Sequence, residues 1–359
     1  MLREKILAKG SVALAMGAVD AGCRCYFGYP ITPQNDIPEY LSAALPKAGG
    51  TFIQAESELA AINMVLGAAA VGARAMTSSS GPGISLMQEG LSYMAGSELP
   101  AVVVNITRSG PGLGGIAPTQ GDYKQATRGG GHGDYRLLVL APSSVQEMYD
   151  LAGAAFALAF RYRNPVMILG DAILGQMKEP LLTGATLPLP DPPAWALSGA
   201  RLRQPRLIKS LYLQEGEMTA HNWKLYNKYE AVKRQEVRVE VDCPPRCTLV
   251  LVAYGSCSRI VRTAVERSRR RGFAVGLIRP ITLFPFPEAE IQRAAAAAKR
   301  LLVVEMNTGQ MVDDVRLACA GTGAVYFKGY PGGEVPTPEQ IEQEIERIIK
   351  AEELRRWRN

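Results

Sequence analysis

Five short β-rich runs in the first half of this chain carry apolar residues that run on instead of alternating. They are TFIQA (51–55), RAMTSSS (74–80), AVVVNIT (101–107), RLLVLA (136–141) and PVMILGD (165–171). Strands with one solvated face alternate apolar and polar residues; strands covered on both faces do not. Helical stretches lie between the runs, at 58–72, 84–95 and 144–163. That order predicts an α/β fold, a doubly wound parallel sheet covered by helices. Right-handed crossovers then place the functional loops at the carboxyl ends of the strands. The alternation stops between 186 and 245, where Pro188, Pro190, Pro192 and Pro193 stiffen the chain and 216–233 is polar and helical in character. A connection this long is often a clasp over a neighbour. From 248 the pattern returns: TLVLVAYGS, FAVGLIRP, LLVVEM and VYFKGY, separated by helices and followed by a charged C-terminal helix. The expected division is 1–185, 186–245 and 246–359.

Composition narrows the function classes. With 359 residues, 47% hydrophobic and 21% charged, the chain is long enough for about two domains. It holds no run of 18 apolar residues, so no transmembrane helix is expected. The apolar stretch near the start carries Glu4 and Asp20, and its apolar residues have helical spacing, which suits a docked helix better than a signal peptide. Six cysteines include two close pairs, Cys23/Cys25 and Cys243/Cys247. In a chain this long without a signal peptide they predict a cytoplasmic protein, not a disulfide framework. The net charge of +6 is spread out. Its densest run, Arg267, Arg269, Arg270 and Arg271, sits near a predicted helix end, where cations favour the dipole. That reading excludes the basic, aromatic-laced stripe of a nucleic-acid binder.

Four loops carry chemistry. In GYPITPQNDIPEY (28–40), two prolines bracket Ile31-Thr32 and hold an extended backbone, as a rigid turn or as a platform for the Thr32 hydroxyl. In QAESELAA (54–61), Glu56, Ser57 and Glu58 open a nearly all-apolar helix. Ser57 suits the N-cap and one acid suits the dipole. A second acid against so apolar a helix is expected to be partly buried, where a carboxyl group hydrogen-bonds a ring nitrogen. In TSSSGPGISLMQEG (77–90), Ser80, Gly81, Pro82 and Gly83 admit a flat ligand or a partner chain, or serve as turn residues. The stretch is not GxGxxG, and no acid follows a strand as a Rossmann site requires. In 105–136, Arg108 ends a predicted buried strand, and its guanidinium is a natural carboxylate clamp. A long glycine-rich loop containing His132 follows it.

Taken together, these segments resemble the α subunit of 2-oxoacid:ferredoxin oxidoreductases. The match rests on 28–33 (GYPITP), 54–58 (QAESE), 77–86, Thr107-Arg108 with its loop, and in the second half on 253–255 (AYG), 279–285 (RPITLFP), 305–307 (EMN) and 309–311 (GQM). It covers essentially the whole chain. Within the family, ESELAAINMVLGAAAVGARAMTSSS and GGGHGDYR are most similar to the branched-chain, 3-methyl-2-oxobutanoate type, with the 2-oxoglutarate enzymes close by. The resemblance implies a pyrimidine-binding thiamine diphosphate domain followed by a smaller transketolase-C-terminal-like domain. It implies oxidative decarboxylation in which the thiamine ylid adds to the 2-oxo group, CO2 leaves, electrons pass to ferredoxin, and coenzyme A takes the acyl group. By motif match Glu58 contacts the aminopyrimidine N1′, with Ser80, Gly81 and Pro82 beside the cofactor. Thr32 and Arg108 hold the substrate.

The absences point to partners. The chain has Gly170-Asp171-Ala172 where a metal-pyrophosphate motif needs Gly-Asp-Gly with a later Asn, and it has no CxxCxxCxxxC cluster motif. No metal ligand is assigned here. Mg2+ and the pyrophosphate site are expected on a β subunit, and [4Fe–4S] clusters on other chains, including γ and ferredoxin-like δ subunits. The competing readings are a 2-oxoglutarate-specific member and a non-catalytic assembly subunit, which would need neither Glu58 nor Arg108. A nucleotide-dependent dehydrogenase lacks its phosphate loop.

Overall fold

The computed structural model describes residues 5–184, 191–201 and 203–356, with side chains through 351. The chain enters through β1 (Lys5–Lys9), α1 (Gly10–Asp20), β2 (Cys25–Gly28), α2 (Asp36–Lys47), β3 (Thr51–Gln54), α3 (Glu58–Ala70), β4 (Ala75–Ser79), α4 (Gly81–Leu86), α5 (Gln88–Gly96) and β5 (Ala101–Thr107). It continues through α6 (Tyr123–Arg128), β6 (Leu138–Leu140), α7 (Val145–Tyr162), β7 (Pro165–Asp171), α8 (Ala172–Gln176) and β8 (Lys178–Leu182). Helix α9 (Glu217–Gln235) leads to β9 (Val239–Asp242), β10 (Leu249–Val252), α10 (Gly255–Arg270), β11 (Val275–Pro280), β12 (Thr282–Phe284) and α11 (Glu288–Ala298). The last elements are β13 (Arg300–Glu305), α12 (Met311–Cys319), β14 (Ala324–Gly329) and α13 (Pro338–Arg356).

The large sheet has the order β12-β6-β7-β5-β4-β2-β3, parallel except for β12. Its centre is β5 and β7, in which every residue is buried, as the unbroken apolar runs require. β3 departs from that expectation: three of its four residues are exposed, because it is the sheet edge with no strand beyond it. The smaller sheet is β14-β13-β10-β11-β9, with β9 antiparallel. β1 and β8 form a separate antiparallel pair. β12 comes from beyond residue 246 and yet completes the large sheet, so the second part of the chain supplies a strand to the sheet of the first.

Three local expectations are revised. The helix expected over 84–95 is two helices that meet at Met87. The Gly81-Pro82-Gly83 stretch is not a turn but the first turn of α4, with Pro82 where its missing N–H costs nothing. The polar segment after 216 clasps this chain itself. His221, Leu225, Tyr229 and Val232 are the buried face of α9, and His221 Nε2 meets the Gly96 carbonyl at 2.7 Å. Of the linker prolines, Pro188 and Pro190 lie outside the described residues. The arginines at the end of α10 pair with α13, Arg267 with Glu339 and Arg271 with Glu346. No described helix is long and apolar enough to cross a membrane.

Candidate functional site at the carboxyl edge of the large sheet

β2, β3, β4 and β5 are parallel, so the loops after them share one edge. From β2 the chain moves outward to β3, and from β4 it moves the other way to β5. The neighbours β2 and β4 therefore flank a topological switch point, where open α/β sheets leave a crevice. Thr32 follows β2, Glu58 follows β3, Ser80 to Pro82 follow β4 and Arg108 follows β5.

The two acids at the head of α3 differ in environment. Ser57 takes an extended backbone and its Oγ accepts the Ala60 N–H at 3.1 Å, so it is the N-cap. Glu56 is exposed, whereas Glu58 is 5% exposed. Ser79 Oγ donates to Glu58 Oε1 at 3.4 Å. Gly83 makes the room for this: a Cβ there would collide with both Ser79 Oγ and the Glu58 carboxylate.

Arg108 is half-buried and reaches back across the edge. Its Nη1 donates to the Thr32 carbonyl at 3.1 Å and its Nη2 to the Leu113 carbonyl at 3.2 Å, while Nε–H has no partner. Thr32 is exposed and meets Arg108 through its carbonyl, not its hydroxyl. A Cβ on Gly81 would touch Arg108 Cγ at 3.8 Å, so these segments adjoin. Ser80 is fully buried and its Oγ has no partner in the chain. His132 is exposed, edge-on to the Tyr93 ring at 6.5 Å.

Two supporting residues escaped the sequence reading. Gln34, fully buried, accepts from Ser78 Oγ at 2.5 Å, and Ser78 in turn meets Tyr26 OH at 2.8 Å. That relay ties the loop after β2 to β4. Asp122 accepts from Asn105 Nδ2 at 2.9 Å, and its carboxylate faces the N–H of Gly81, whose φ is +39°. Burial lifts the Asp122 pKa above its ordinary value, against those two donors. Its position in GDYK, inside the glycine-rich loop, was the available signal.

The segment holding Asp122 is clamped by the smaller sheet. Gln120 donates from N to the Met306 carbonyl and from Nε2 to the Tyr254 carbonyl, both at 2.9 Å, and its Oε1 accepts the Met306 N–H at 3.0 Å. Gln310 Nε2 donates to the Gly121 carbonyl at 2.5 Å, and Gln310 Oε1 accepts the Lys124 N–H at 2.8 Å. Glu305, fully buried, orders this corner by accepting from the backbone of Gln310, Met311 and Val312 and from Asn307 Nδ2. The EMN and GQM motifs thus hold the loop that holds Gly81.

The candidate site is an open face, not a closed pocket. Tyr29, Ile53, Leu59, Leu86, Leu113 and Ile116, on the loops and helices that lead from this edge, are all more than a third exposed.

The description of the thiamine diphosphate-binding region of pyruvate flavodoxin/ferredoxin oxidoreductases matches residues 16–186, and that of pyruvate:ferredoxin oxidoreductase core domain II matches 248–341. The chain is 50% identical over 344 residues to the ketoisovalerate oxidoreductase subunit VorB of Methanothermobacter thermautotrophicus, covering 95% of this chain and 97% of that one. It is 38% identical to the 2-oxoglutarate synthase subunit KorA of Archaeoglobus fulgidus, over 96% and 99% of the two chains. Among solved structures it resembles the 2-oxoglutarate:ferredoxin oxidoreductase of Magnetococcus marinus, with TM-score 0.85 and 26% identity. It spans 65% of that longer chain, while 96% of its own length is matched. A split-gene transketolase shares the fold alone, at TM-score 0.58 and 12% identity. Spanning nearly the whole of these two subunits, with Glu58 buried at the switch point of a thiamine diphosphate-binding domain, the chain belongs to the 2-oxoacid:ferredoxin oxidoreductase family, as one of its subunits.

Proposed function

We propose that this subunit serves the oxidative decarboxylation of a branched-chain 2-oxo acid to its acyl-coenzyme A, and that Glu58 is its acid–base group. The observation that carries the reading is the burial of one carboxylate in the crevice while its neighbour Glu56 stays in water. The branched-chain substrate rests on 50% identity to ketoisovalerate subunits against 38% to 2-oxoglutarate subunits.

When bound, thiamine diphosphate supplies the carbon nucleophile and the sink for the electrons released with CO2. The residues present fit its aminopyrimidine end. A carboxyl group in an apolar crevice hydrogen-bonds a ring nitrogen and shares a proton with it. Ser80 brings a buried hydroxyl with no partner in the chain, and Gly81 and Pro82 bring a side-chain-poor edge that a flat ring approaches closely. Arg108, with Nε–H free of intrachain bonds, orients the substrate carboxylate, and Thr32 lines the same corner. The chain has Gly170-Asp171-Ala172 in place of Gly-Asp-Gly with a later Asn, and no CxxCxxCxxxC motif. On that ground the pyrophosphate and Mg2+ are assigned to a β subunit that covers the apolar rim. The [4Fe–4S] clusters are assigned to partner chains, γ and ferredoxin-like δ, which pass electrons to ferredoxin in a cytoplasmic complex. In this arrangement residues 1–185 form the pyrimidine-binding unit, 186–245 the clasp and 246–359 the supporting domain.

The test is Glu58→Gln in the complex reconstituted with its partner subunits, followed by C2 proton exchange of the bound cofactor. Glutamine keeps the shape and loses the proton, so exchange should slow by roughly 10²–10⁴-fold. Glu56→Gln should leave the rate unchanged. Wild-type exchange in Glu58→Gln would remove Glu58 from the chemistry. In the unsubstituted complex, 3-methyl-2-oxobutanoate should turn over at a higher kcat/KM than 2-oxoglutarate.

A further inference from the structure

We propose that Cys243 and Cys247 form a dithiol site, which small, anionic disulfides of the glutathione type oxidise to an intramolecular disulfide. The inference rests on the far side of the smaller sheet and is independent of the proposed function.

Sheet topology creates the pair. β11 lies between β9 and β10, so the connection from β9 to β10 must cross over it. Cys243 follows the last residue of β9, and Cys247 stands two residues before β10. Both sulfurs meet above Gly276 of β11, where a Cβ would lie 2.7 Å from Cys243 Sγ and 3.0 Å from Cys247 Sγ. A side chain at 276 would fill the space the two thiols occupy. Both are half-buried and line a groove of about 480 Å³ with Pro244, Arg246 and Arg293. Arg293 is paired with Glu290 at 2.7 Å in the same lining, so Arg246 supplies the net positive charge that favours an anionic reagent at its mouth. Cys23, Cys257 and Cys319 are buried and do not line this groove.

The pair is chemically unequal. Burial pushes the Cys243 thiol up to about 11. Burial also raises Cys247, but the Arg269 guanidinium and the Cys243 S–H favour its thiolate. Cys247 is thus the attacking thiolate. It displaces one thiol from the small disulfide and forms a mixed disulfide. The Cys243 sulfur then attacks Cys247 Sγ and expels the second thiol. The pair loses two electrons and two protons, and both are recovered in the two released small thiols.

The closed bond would staple β9 to β10 across β11. β9 carries Glu240, which binds Arg262 at 2.7 Å and Arg279 at 2.9 Å, and Arg279 also grips Glu147 of α7 at 2.7 Å.

The experiment treats the native full chain with 5,5′-dithiobis(2-nitrobenzoate) and maps it by tryptic digestion without reduction. Trypsin cuts after Arg238, Arg246 and Arg259, so the two cysteines fall on different peptides, 239–246 and 247–259. The expected result is that these peptides remain joined and carry no thionitrobenzoate. The link should survive Cys257→Ala, which removes the other cysteine of the second peptide. In Cys243→Ser the intermediate should be trapped, leaving an adduct on Cys247. Separate adducts on both peptides, a link through Cys257, or unmodified thiols at both positions would each overturn the proposal. Mapping of the unsubstituted chain decides the matter even if a variant does not fold.

Discussion

Glu56 and Glu58 differ by two positions and by their surroundings, and the difference is made by a hydrogen atom on another helix. Gly83 has no side chain, so α4 closes down on the Glu58 carboxylate and Ser79. Gly83→Ala should therefore destabilise the isolated chain by about 1–3 kcal/mol, the usual cost of overpacking. Gly67, an exposed position of α3 with nothing within 4 Å of an added Cβ, is the opposite case. Gly67→Ala should stabilise by about 0.5–1 kcal/mol through helix propensity alone. Urea unfolding of the two variants checks both signs, and destabilisation by both would mean that Gly83 is not specially placed. At this scale the sequence pointed to Glu58, Thr32, Arg108 and the Ser80–Pro82 stretch, because each lies in a short motif shared with the family. It did not point to Gln34 or Asp122. Their partners, Ser78 and Asn105, are 44 and 17 positions away, and only the fold brings them within reach.

Helix α9 shows what composition hides in an element. It reads as a polar segment, yet His221, Leu225, Tyr229 and Val232 recur at helical spacing and are buried against the large-sheet layer. Lys228 is carried into that contact, 3.7 Å from Glu98, donating to the Arg163 carbonyl at 3.3 Å and lying over the Tyr229 ring. Lys224 and Arg163 also face it, and burial pulls its pKa down to about 8 despite Glu98. Between that value and about 10.4, the ordinary lysine value, the unfolded chain holds the proton and the folded chain does not. Raising the pH through this window therefore favours the folded state, by up to about 3 kcal/mol from this group. The melting temperature of the wild type relative to Lys228→Met should rise from pH 7.5 to 10.5. A flat or falling difference would show that the ammonium is not desolvated in the folded state. The neighbouring break between α4 and α5 was not legible, since no Gly or Pro marks Met87.

Across the whole molecule, the smaller sheet acts on the candidate site without touching it. Gln120 ties the loop before α6 to Tyr254 and Met306, Gln310 grips that loop at Gly121, Asp122 in the loop faces the Gly81 N–H, and Gly81 opens α4 beside Arg108. Gln120→Ala leaves the Met306 N–H without its partner and the Tyr254 carbonyl with the Ser258 N–H alone, at a cost of roughly 1–3 kcal/mol. It should also speed amide hydrogen exchange at Gly81 and Gly83, although those residues keep all their own bonds. Exchange confined to 119–124 would show that the relay through Asp122 is not coupled. The amino-acid sequence by itself determined the layer architecture, because unbroken apolar runs separated by helices bury only as a covered parallel sheet. It also determined the family, because several short motifs recur together along one chain. Tertiary structure decided that β12 completes the large sheet and that β9 runs antiparallel, since pairing partners are chosen by space. It decided too which acid is buried and which two thiols meet, because burial and contact belong to pairs of residues that the chain keeps apart until it folds.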